Sequence, residues 1–218
     1  MPTLCPRLLP SLALAVTLPA HALDWSVDLF ATPVAEVKAD NRATGVESES
    51  DDPDGFGARV VLWPGRGPLF YAAEWSRLKG DRNDGNLEQA RLGIGVVNAT
   101  AFYTRFELIH TEAGASLGSS SSDASTLGAG LHAGLAGALS DWLLASAEVG
   151  YVDLDLIDDD DALHPGQGLQ ATVRGEVPLS TAVQLFSELR YQQPRDDEDG
   201  RNLRYEIGEW RLGVRLNF

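Results

Sequence analysis

The chain has 218 residues, with 17 basic and 32 acidic side chains and a formal net charge of −15. This length fits one domain. The acidic surplus argues against nucleic acid as a partner, because phosphate recognition needs a basic face. The single cysteine, Cys5, excludes a disulfide within the chain, and we expect no cofactor.

The first 22 residues have the pattern of a secretory signal peptide. Arg7 is their only charge, an apolar stretch follows at 8–19, and Ala20 and Ala22 are small residues of the kind a signal peptidase reads. We therefore expect cleavage after residue 22, which removes Cys5 and leaves one domain at 23–218. A membrane anchor is the alternative, but about 12 apolar residues are too few to span roughly 30 Å of hydrocarbon.

Alternating apolar and polar residues predict about ten β-strands after this segment. No apolar repeat of 3.6 residues competes with the two-residue period. The predicted strands cover 24–33, 56–63, 69–78, 87–97, 101–110, 126–139, 142–154, 169–177, 182–191 and 205–218. Most are near the roughly 9–11 residues that a tilted strand needs to cross a bilayer.

The connections between these strands alternate in length. Short ones fall at 64–68, 98–100, 140–141 and 179–181, and long ones at 34–55, 79–86, 111–125, 155–168 and 192–204. This alternation is typical of outer-membrane barrels, which have short periplasmic turns and long outer loops. The sequence therefore predicts an all-β fold, an antiparallel up-and-down transmembrane barrel of about ten strands, with eight or twelve as alternatives.

One face of each predicted strand is apolar and suits lipid. Its charges, Arg77, Glu88, Asp153 and Glu206, fall at the outer strand ends, where a charge costs about 0–1 kcal/mol instead of about 2–4 kcal/mol at the bilayer midplane. Aromatic residues predict a girdle at each interface. The periplasmic girdle is Trp25, Phe102, Trp142 and Phe218, and the outer one is Phe56, Trp75, Tyr151, Tyr191 and Trp210.

The opposite faces carry seven basic and seven acidic residues. They are Arg59, Arg91, Arg105, Arg174, Arg190, Arg211 and Arg215, with Asp28, Glu74, Glu107, Glu148, Glu176, Glu188 and Glu209. Buried charges need partners, and arginine binds carboxylates through two hydrogen bonds, so this balance predicts a salt-bridged plug. A polar conduit for a small ion or solute is the alternative, although a small barrel leaves little room for one.

Acidic residues cluster in the predicted outer loops. Five lie within 47–54, others lie at 196–199, and a run follows the seventh strand at Asp158, Asp159, Asp160 and Asp161. Clustered carboxylates suit divalent cations, but the ligand spacing of an EF-hand is absent. We therefore expect a solvated loop surface here, with divalent-cation binding as the alternative hypothesis.

A lipid A-modifying hydrolase is a further alternative function. His110 lies at the predicted outer rim and could join a serine from 116–122, but no fixed pattern of nucleophile and base is present. The glycines and serines of 114–125 predict a mobile loop. His132 faces the lumen, where we expect a hydrogen-bonded filler and not a catalytic group.

The chain ends on an alternating strand whose last residue is aromatic. Its apolar face consists of Trp210, Leu212, Val214, Leu216 and Phe218. Together with the signal-like segment and the paired strands, this ending resembles the small outer-membrane β-barrel families of Gram-negative bacteria, the opacity-protein and porin-like group. In those families the barrel-assembly machinery recognises the terminal aromatic strand, a role that the resemblance implies for these five residues.

These patterns predict an integral outer-membrane protein with a structural or surface-interaction role and a plugged lumen. The expected partners are outer-membrane lipid, lipopolysaccharide and the barrel-assembly machinery. A narrow porin-like channel is the main alternative.

Overall fold

The computed structural model describes residues 23–41, 46–50, 53–64, 67–80, 86–98, 101–117, 120–158, 166–196 and 203–218. The proposed signal peptide, 1–22, lies outside the described residues, so its cleavage stays a prediction. Asp159, Asp160 and Asp161 of the acidic run also lie outside the described residues.

The described residues lie mostly in β-strands. These are β1 (Leu23–Asn41), β2 (Val46–Ser50), β3 (Asp54–Pro64), β4 (Leu69–Lys79), β5 (Asn86–Val97), β6 (Phe102–Leu117), β7 (Ser120–Ser140), β8 (Leu143–Asp158), β9 (Gln167–Pro178), β10 (Val183–Asp196) and β11 (Leu203–Asn217). Among the described residues, no helix has the length and apolar character needed to cross a membrane.

The strands close into an antiparallel barrel. From β3 onward each strand pairs with the next along the chain, β1 pairs with β3, and β11 returns to pair with β1. β2 pairs with the last residues of β1, 37–41, beside this ring. The ring therefore has ten strands, which confirms the predicted fold class and excludes eight or twelve.

Side chains alternate between the interior and the exterior of the barrel, because successive residues of a strand point to opposite faces. In β4, Phe70, Glu74 and Leu78 are buried, while Tyr71 and Trp75 are exposed. Among the described side chains, twenty polar or charged residues are buried against ten apolar ones. This barrel is therefore polar inside and apolar outside, the reverse of a water-soluble domain.

β1 continues past Pro33, where the sequence predicted its end. The register between β1 and β11 shifts between Ala31 and Val34, because proline has no N–H to donate and favours a bulge in a strand. The bulge separates two halves of β1 with different neighbours: 23–32 pairs with β3, and 37–41 pairs with β2.

The strands also extend beyond their predicted ends on the side of the long connections, which we call the outer end. β6 and β7 pair as far as Leu117 and Ser120, so most of 114–125 is a paired hairpin and not the loop that the sequence indicated. Glycine and serine dominate this segment and hide the alternation that identifies a strand. Strand residues likewise replace parts of the predicted loops 34–55, 155–168 and 192–204.

The opposite end of the barrel, which we call the short-turn end, has turns stabilised by local hydrogen bonds. Asn98 Oδ1 accepts a hydrogen bond from the Phe102 N–H at 3.1 Å, and Ser180 Oγ accepts one from the Val183 N–H at 3.1 Å. The end of the chain lies here as well, since the Phe218 N–H donates to the Trp25 carbonyl at 3.0 Å.

Tryptophan side chains donate hydrogen bonds to two polar groups on the exterior of the barrel. Ser187, a polar residue at mid-strand, accepts a hydrogen bond from Trp210 Nε1 at 2.9 Å. Glu88, one of the four predicted exterior charges, accepts one from Trp75 Nε1 at 2.7 Å. These bonds satisfy polar atoms that face an otherwise apolar surface.

Candidate functional site

Charges of opposite sign face one another across neighbouring strands of the barrel wall. One row of directly opposed residues runs across five strands, from β5 through β4, β3 and β1 to β11: Arg91, Glu74, Arg59, Asp28 and Arg215. Opposite charges in directly opposed positions stabilise strand pairing. The two-residue period turns every member of this row into the lumen.

Two glutamates at the centre of the lumen join opposite walls. Glu74 on β4 accepts hydrogen bonds from Arg59 Nε at 2.6 Å and from Arg190 Nη1 at 2.7 Å. Arg211 Nη1 donates to the same carboxylate at 2.9 Å. Glu188 on β10 accepts both terminal nitrogens of Arg59, each at 2.9 Å. These bonds connect β3 and β4 with β10 and β11 through the interior.

Two further carboxylates close a ring of alternating charge beside this centre. Asp28 accepts hydrogen bonds from Arg174 Nη1 and Arg215 Nε, both at 2.7 Å. Glu176 accepts one from Arg174 Nε at 2.7 Å and one from Arg215 Nη1 at 3.0 Å. The four residues come from β1, β9 and β11, so they join the two ends of the chain.

A second group of charges lies on the β5–β8 side of the lumen. Arg91 donates to Glu107 at 2.8 Å, and Arg105 donates to Glu148 at 2.8 Å. The buried His132 lies between the two carboxylates, with Nε2 at 2.8 Å from Glu107 and Nδ1 at 3.4 Å from Glu148, but neither contact has hydrogen-bond alignment. This histidine fills space within the charge network.

All fourteen predicted lumen charges take part in this network, which we call the charge layer. The remaining member, Glu209, accepts a hydrogen bond from Arg211 Nε at 2.7 Å. Eleven of the fourteen are buried, and the side chains of Arg59, Arg105 and Arg215 are 12%, 13% and 18% exposed. Because the layer has seven charges of each sign, each buried ion has a partner and the layer as a whole is neutral.

Inward aromatic rings, which are not among the predicted lumen residues, lie among these charges. The Arg174 guanidinium is 3.6 Å from the ring centroid of Phe186, and that of Arg211 is 4.6 Å from the centroid of Phe30, which allows cation–π attraction. A Cβ on Gly213 would meet the Phe186 ring, so this glycine gives the ring its space. The two-residue period could have placed both phenylalanines in the lumen, since each is two residues from an inward charge on its own strand.

A small apolar cluster lies on the outer side of the charge layer, beside β6 and β8. Ile109, Val152 and Leu154 pack together and are 0%, 0% and 2% exposed. Along β6 the inward residues run from Arg105 and Glu107 to Ile109 toward the outer end. The sequence does not reveal this cluster, because buried apolar residues on an inward face look like the residues of a lipid-facing strand.

A cavity of about 430 Å³ lies on the other side of the charge layer, at the short-turn end. Its lining includes inward residues near the short turns, among them Trp63, Phe70, Tyr103 and Leu144. The lining also includes Arg59, Arg105, Arg174, Arg190, Arg215, Glu148, Glu176 and Glu188 of the charge layer. From the outer end to the short-turn end, the apolar cluster beside β6 and β8, the charge layer and the cavity therefore follow one another.

The residues of the predicted assembly signal lie on the exterior of β11 at the seam with β1. Trp210, Leu212 and Phe218 are 40%, 40% and 60% exposed, while Val214 and Leu216 are half-buried. The Phe218 ring stacks on Trp25, with centroids 4.1 Å apart and planes at 14°. The last residue of the chain therefore contacts the first strand through both its ring and its backbone.

The predicted cation and hydrolase sites fall largely outside the described side chains. Asp158 ends β8, but the description of this residue covers its backbone alone. Within the described part of the chain, no group of three or more His, Cys, Asp or Glu residues is placed to hold a metal ion. His110 Nε2 lies 3.2 Å from Glu112 Oε1 on the exposed surface, and the side chains of 116–122 lie outside the description. Both sites stay predictions.

No family model and no curated protein matches this chain. Its fold matches solved outer-membrane barrels of Gram-negative bacteria. One is the outer membrane protease OmpT from Escherichia coli, with 8% identity and a TM-score of 0.55, covering 89% of this chain and 97% of that one. At this identity the likeness shows the fold alone.

Two further structures match over similar lengths. Neisserial surface protein A has 18% identity and a TM-score of 0.43, covering 89% of this chain and 97% of that one. The translocator domain of the autotransporter NalP from Neisseria meningitidis has 15% identity and a TM-score of 0.45, covering 89% and 88%. Together with the closed ten-stranded ring, the likeness to OmpT shows that this protein has the fold of an outer-membrane β-barrel.

Proposed function

We propose that this protein is an integral outer-membrane barrel with a structural or surface-interaction role, whose lumen is closed by the charge layer. The hydrogen bonds across the lumen carry the proposal. Arg59 on β3 reaches Glu188 on β10 at 2.9 Å, and Arg190 on β10 reaches Glu74 on β4 at 2.7 Å. Side chains that meet across the interior block a hydrated ion at that level.

The apolar exterior supports the membrane location. Leu131, Val149 and Leu169 are 64%, 65% and 66% exposed, and each exposed apolar Å² costs about 25 cal/mol in water but nothing in hydrocarbon. The closed ring also satisfies the backbone hydrogen bonds between strands, which lipid requires. Lipid and lipopolysaccharide would contact this surface, and the barrel-assembly machinery would read the terminal strand.

Conductance in planar bilayers tests the closed lumen. We expect no stable unitary current from purified, refolded wild-type protein. A charge-balanced variant with four alanines serves as the control: Glu74→Ala/Glu188→Ala/Arg190→Ala/Arg211→Ala. It removes four long side chains and two charges of each sign, so currents should appear. Stable currents from the wild type would contradict the proposal.

A narrow porin-like channel for small ions or solutes is the second candidate, favoured by the cavity at the short-turn end. The cavity brings solvent to the partly exposed Arg59, Arg105 and Arg215. If the wild type conducts, these guanidinium groups should make the current anion-selective, which the reversal potential in a salt gradient measures.

A further inference from the structure

One wall of the cavity at the short-turn end is a row of aromatic side chains. Trp63 and Phe70 have ring centroids 6.2 Å apart, and Phe70 and Tyr103 have centroids 6.1 Å apart with planes at 79°. The row comes from β3, β4 and β6. Aromatic residues joined in this way offer faces and edges on which another ring can pack.

The charge layer forms the floor of the cavity, and the most exposed of its side chains there are basic. Arg59, Arg105 and Arg215 are 12%, 13% and 18% exposed, whereas Glu148 and Glu176 are 8% and 10% exposed. The charge layer is neutral as a whole, but the three most exposed side chains among its cavity-lining members are arginines. An anion would therefore be favoured over a cation at the floor.

Arg105 has bonding capacity that the charge layer does not use. Its contacts with Glu148 at 2.8 Å and Glu107 at 3.3 Å are both made by Nη2. Arg59 and Arg215, by contrast, each donate from Nε, Nη1 and Nη2 to carboxylates. Among these three, Arg105 is the residue whose Nη1 can donate to a ligand without breaking an ion pair of the described network.

We propose that this cavity binds a small aromatic carboxylate that enters from the short-turn end. The ring packs against the row Trp63, Phe70 and Tyr103, and the carboxylate accepts a hydrogen bond from Arg105 Nη1. The volume of about 430 Å³ lies within the roughly 300–1,000 Å³ of small-molecule sites, so a substituted ring also fits. Binding goes beyond the proposed structural role and does not require the charge layer to open.

Both parts of the ligand are needed for recognition. A neutral ring of the same shape gains the aromatic contacts but leaves the guanidinium without its counterion, and a small aliphatic anion gains the ion pair but leaves the aromatic wall uncovered. We therefore expect benzoate to bind better than benzamide, its neutral counterpart, and better than acetate.

Saturation-transfer NMR on the refolded full barrel in detergent micelles tests the proposal, with protein-free micelles as the blank. We expect a saturable benzoate signal, about tenfold weaker binding of benzamide and still weaker binding of acetate. Equal affinities for benzoate and benzamide, or no saturation up to about 10 mM benzoate, would overturn the site. Because this readout needs no current, its failure is separate from failure of the closed-lumen proposal.

Matched variants locate the binding. Arg105→Gln should weaken benzoate about tenfold and leave benzamide nearly unchanged, whereas Arg77→Gln, which changes an exposed exterior arginine, should alter neither. Trp63→Leu should weaken both ligands, and Trp142→Leu, on the exterior at the same end, should not. Unchanged benzoate binding in Arg105→Gln would overturn the assignment. If Arg105→Gln does not fold, two comparisons still test the site. One is Trp63→Leu against Trp142→Leu, and the other is benzoate against benzamide on the wild-type protein.

Discussion

At the scale of single residues, Arg211 shows how a buried arginine depends on its partners. Its side chain has no exposure and contacts Glu74, Glu188 and Glu209. Removal of one member of a buried ion pair leaves an uncompensated charge, which costs about 3–5 kcal/mol, whereas the intact pair contributes little net stability. The charge layer therefore makes the lumen sensitive to the loss of any single member.

We predict that Arg211→Ala lowers the free energy of unfolding by about 3–5 kcal/mol, measured by urea titration of the refolded barrel in lipid vesicles. Glu209→Ala added to Arg211→Ala should recover part of the loss, because it removes one of the carboxylates that lose their arginine partner. The matched control is Arg77→Ala on the exposed exterior, with an expected change within about 0.5 kcal/mol. Equal losses for Arg77→Ala and Arg211→Ala would refute this account.

Glycines beside inward rings should also be sensitive to substitution. A Cβ on Gly150 would run into the His132 ring, while a Cβ on Gly137 would meet nothing within 4 Å. We predict that Gly150→Ala destabilises the barrel by about 1–3 kcal/mol through overpacking and that Gly137→Ala changes stability little. Combining Gly150→Ala with His132→Ala should be less than additive, and an additive result would show that the ring is not the obstacle.

At the scale of elements, the seam between β1 and β11 decides whether the barrel closes. The pairing runs from Ser26 and Asn217 to Asn41 and Leu203, interrupted by the bulge near Pro33. Trp25 and Phe218 end the seam with a stacked pair at 4.1 Å. The terminal ring thus has a packing role in the folded barrel as well as the recognition role proposed for it.

These two roles can be separated. Phe218→Ala and Trp25→Ala each remove the stack and should lower in vitro stability by a similar amount, about 0.5–1.5 kcal/mol beyond the loss of apolar area. Phe218→Ala alone should also reduce the fraction assembled in cells, scored by heat-modifiable gel mobility of outer-membrane fractions. Phe102→Ala, at the same end of the barrel, is the control. Equal cellular assembly of all three variants would remove the recognition role.

The sequence predicts elements well where alternation is clean and poorly where it is interrupted. All ten ring strands were found, because period two marks each of them. Pro33 predicts a strand end, but in the structure a bulge accommodates it and the pairing of β1 with β11 continues. The composition of 114–125 predicts a loop, since small residues carry no periodic signal, yet the backbone of β6 and β7 pairs there.

At the scale of the whole molecule, the faces of the charged residues could be predicted, but their partners could not. The two-residue alternation of each strand is enough to assign Arg59 and Glu188 to the lumen. Their contact joins residues 129 positions apart and depends on the diameter and register of the closed ring, which one sequence does not specify. The cavity at the short-turn end was missed for the same reason, because its aromatic wall forms only when β3, β4 and β6 curve together.

The whole barrel should behave as one rigid unit until it unfolds. We predict compact migration of unheated protein on a detergent gel, slower migration after boiling, and a far-UV circular dichroism spectrum dominated by β-structure. A helical spectrum in detergent would contradict the fold. The four-alanine lumen variant should also migrate compactly before heating. If it migrates slowly without heating, the charge layer, and not strand pairing, determines whether the barrel stays compact.

The charge layer also bears on the order of assembly. Its seven members on β1 to β8 sum to −1, and its seven on β9 to β11 sum to +1, while Arg215 and Asp28 meet across 187 positions of sequence. The members on β1 to β6 balance one another, Glu148 on β8 leaves the layer at −1 through β10, and the +1 of β11 restores neutrality when the last strand docks on the first. A ring that closes after β8, β9 or β10 would keep a net −1 in its lumen, so electrostatics favour addition of the final strand.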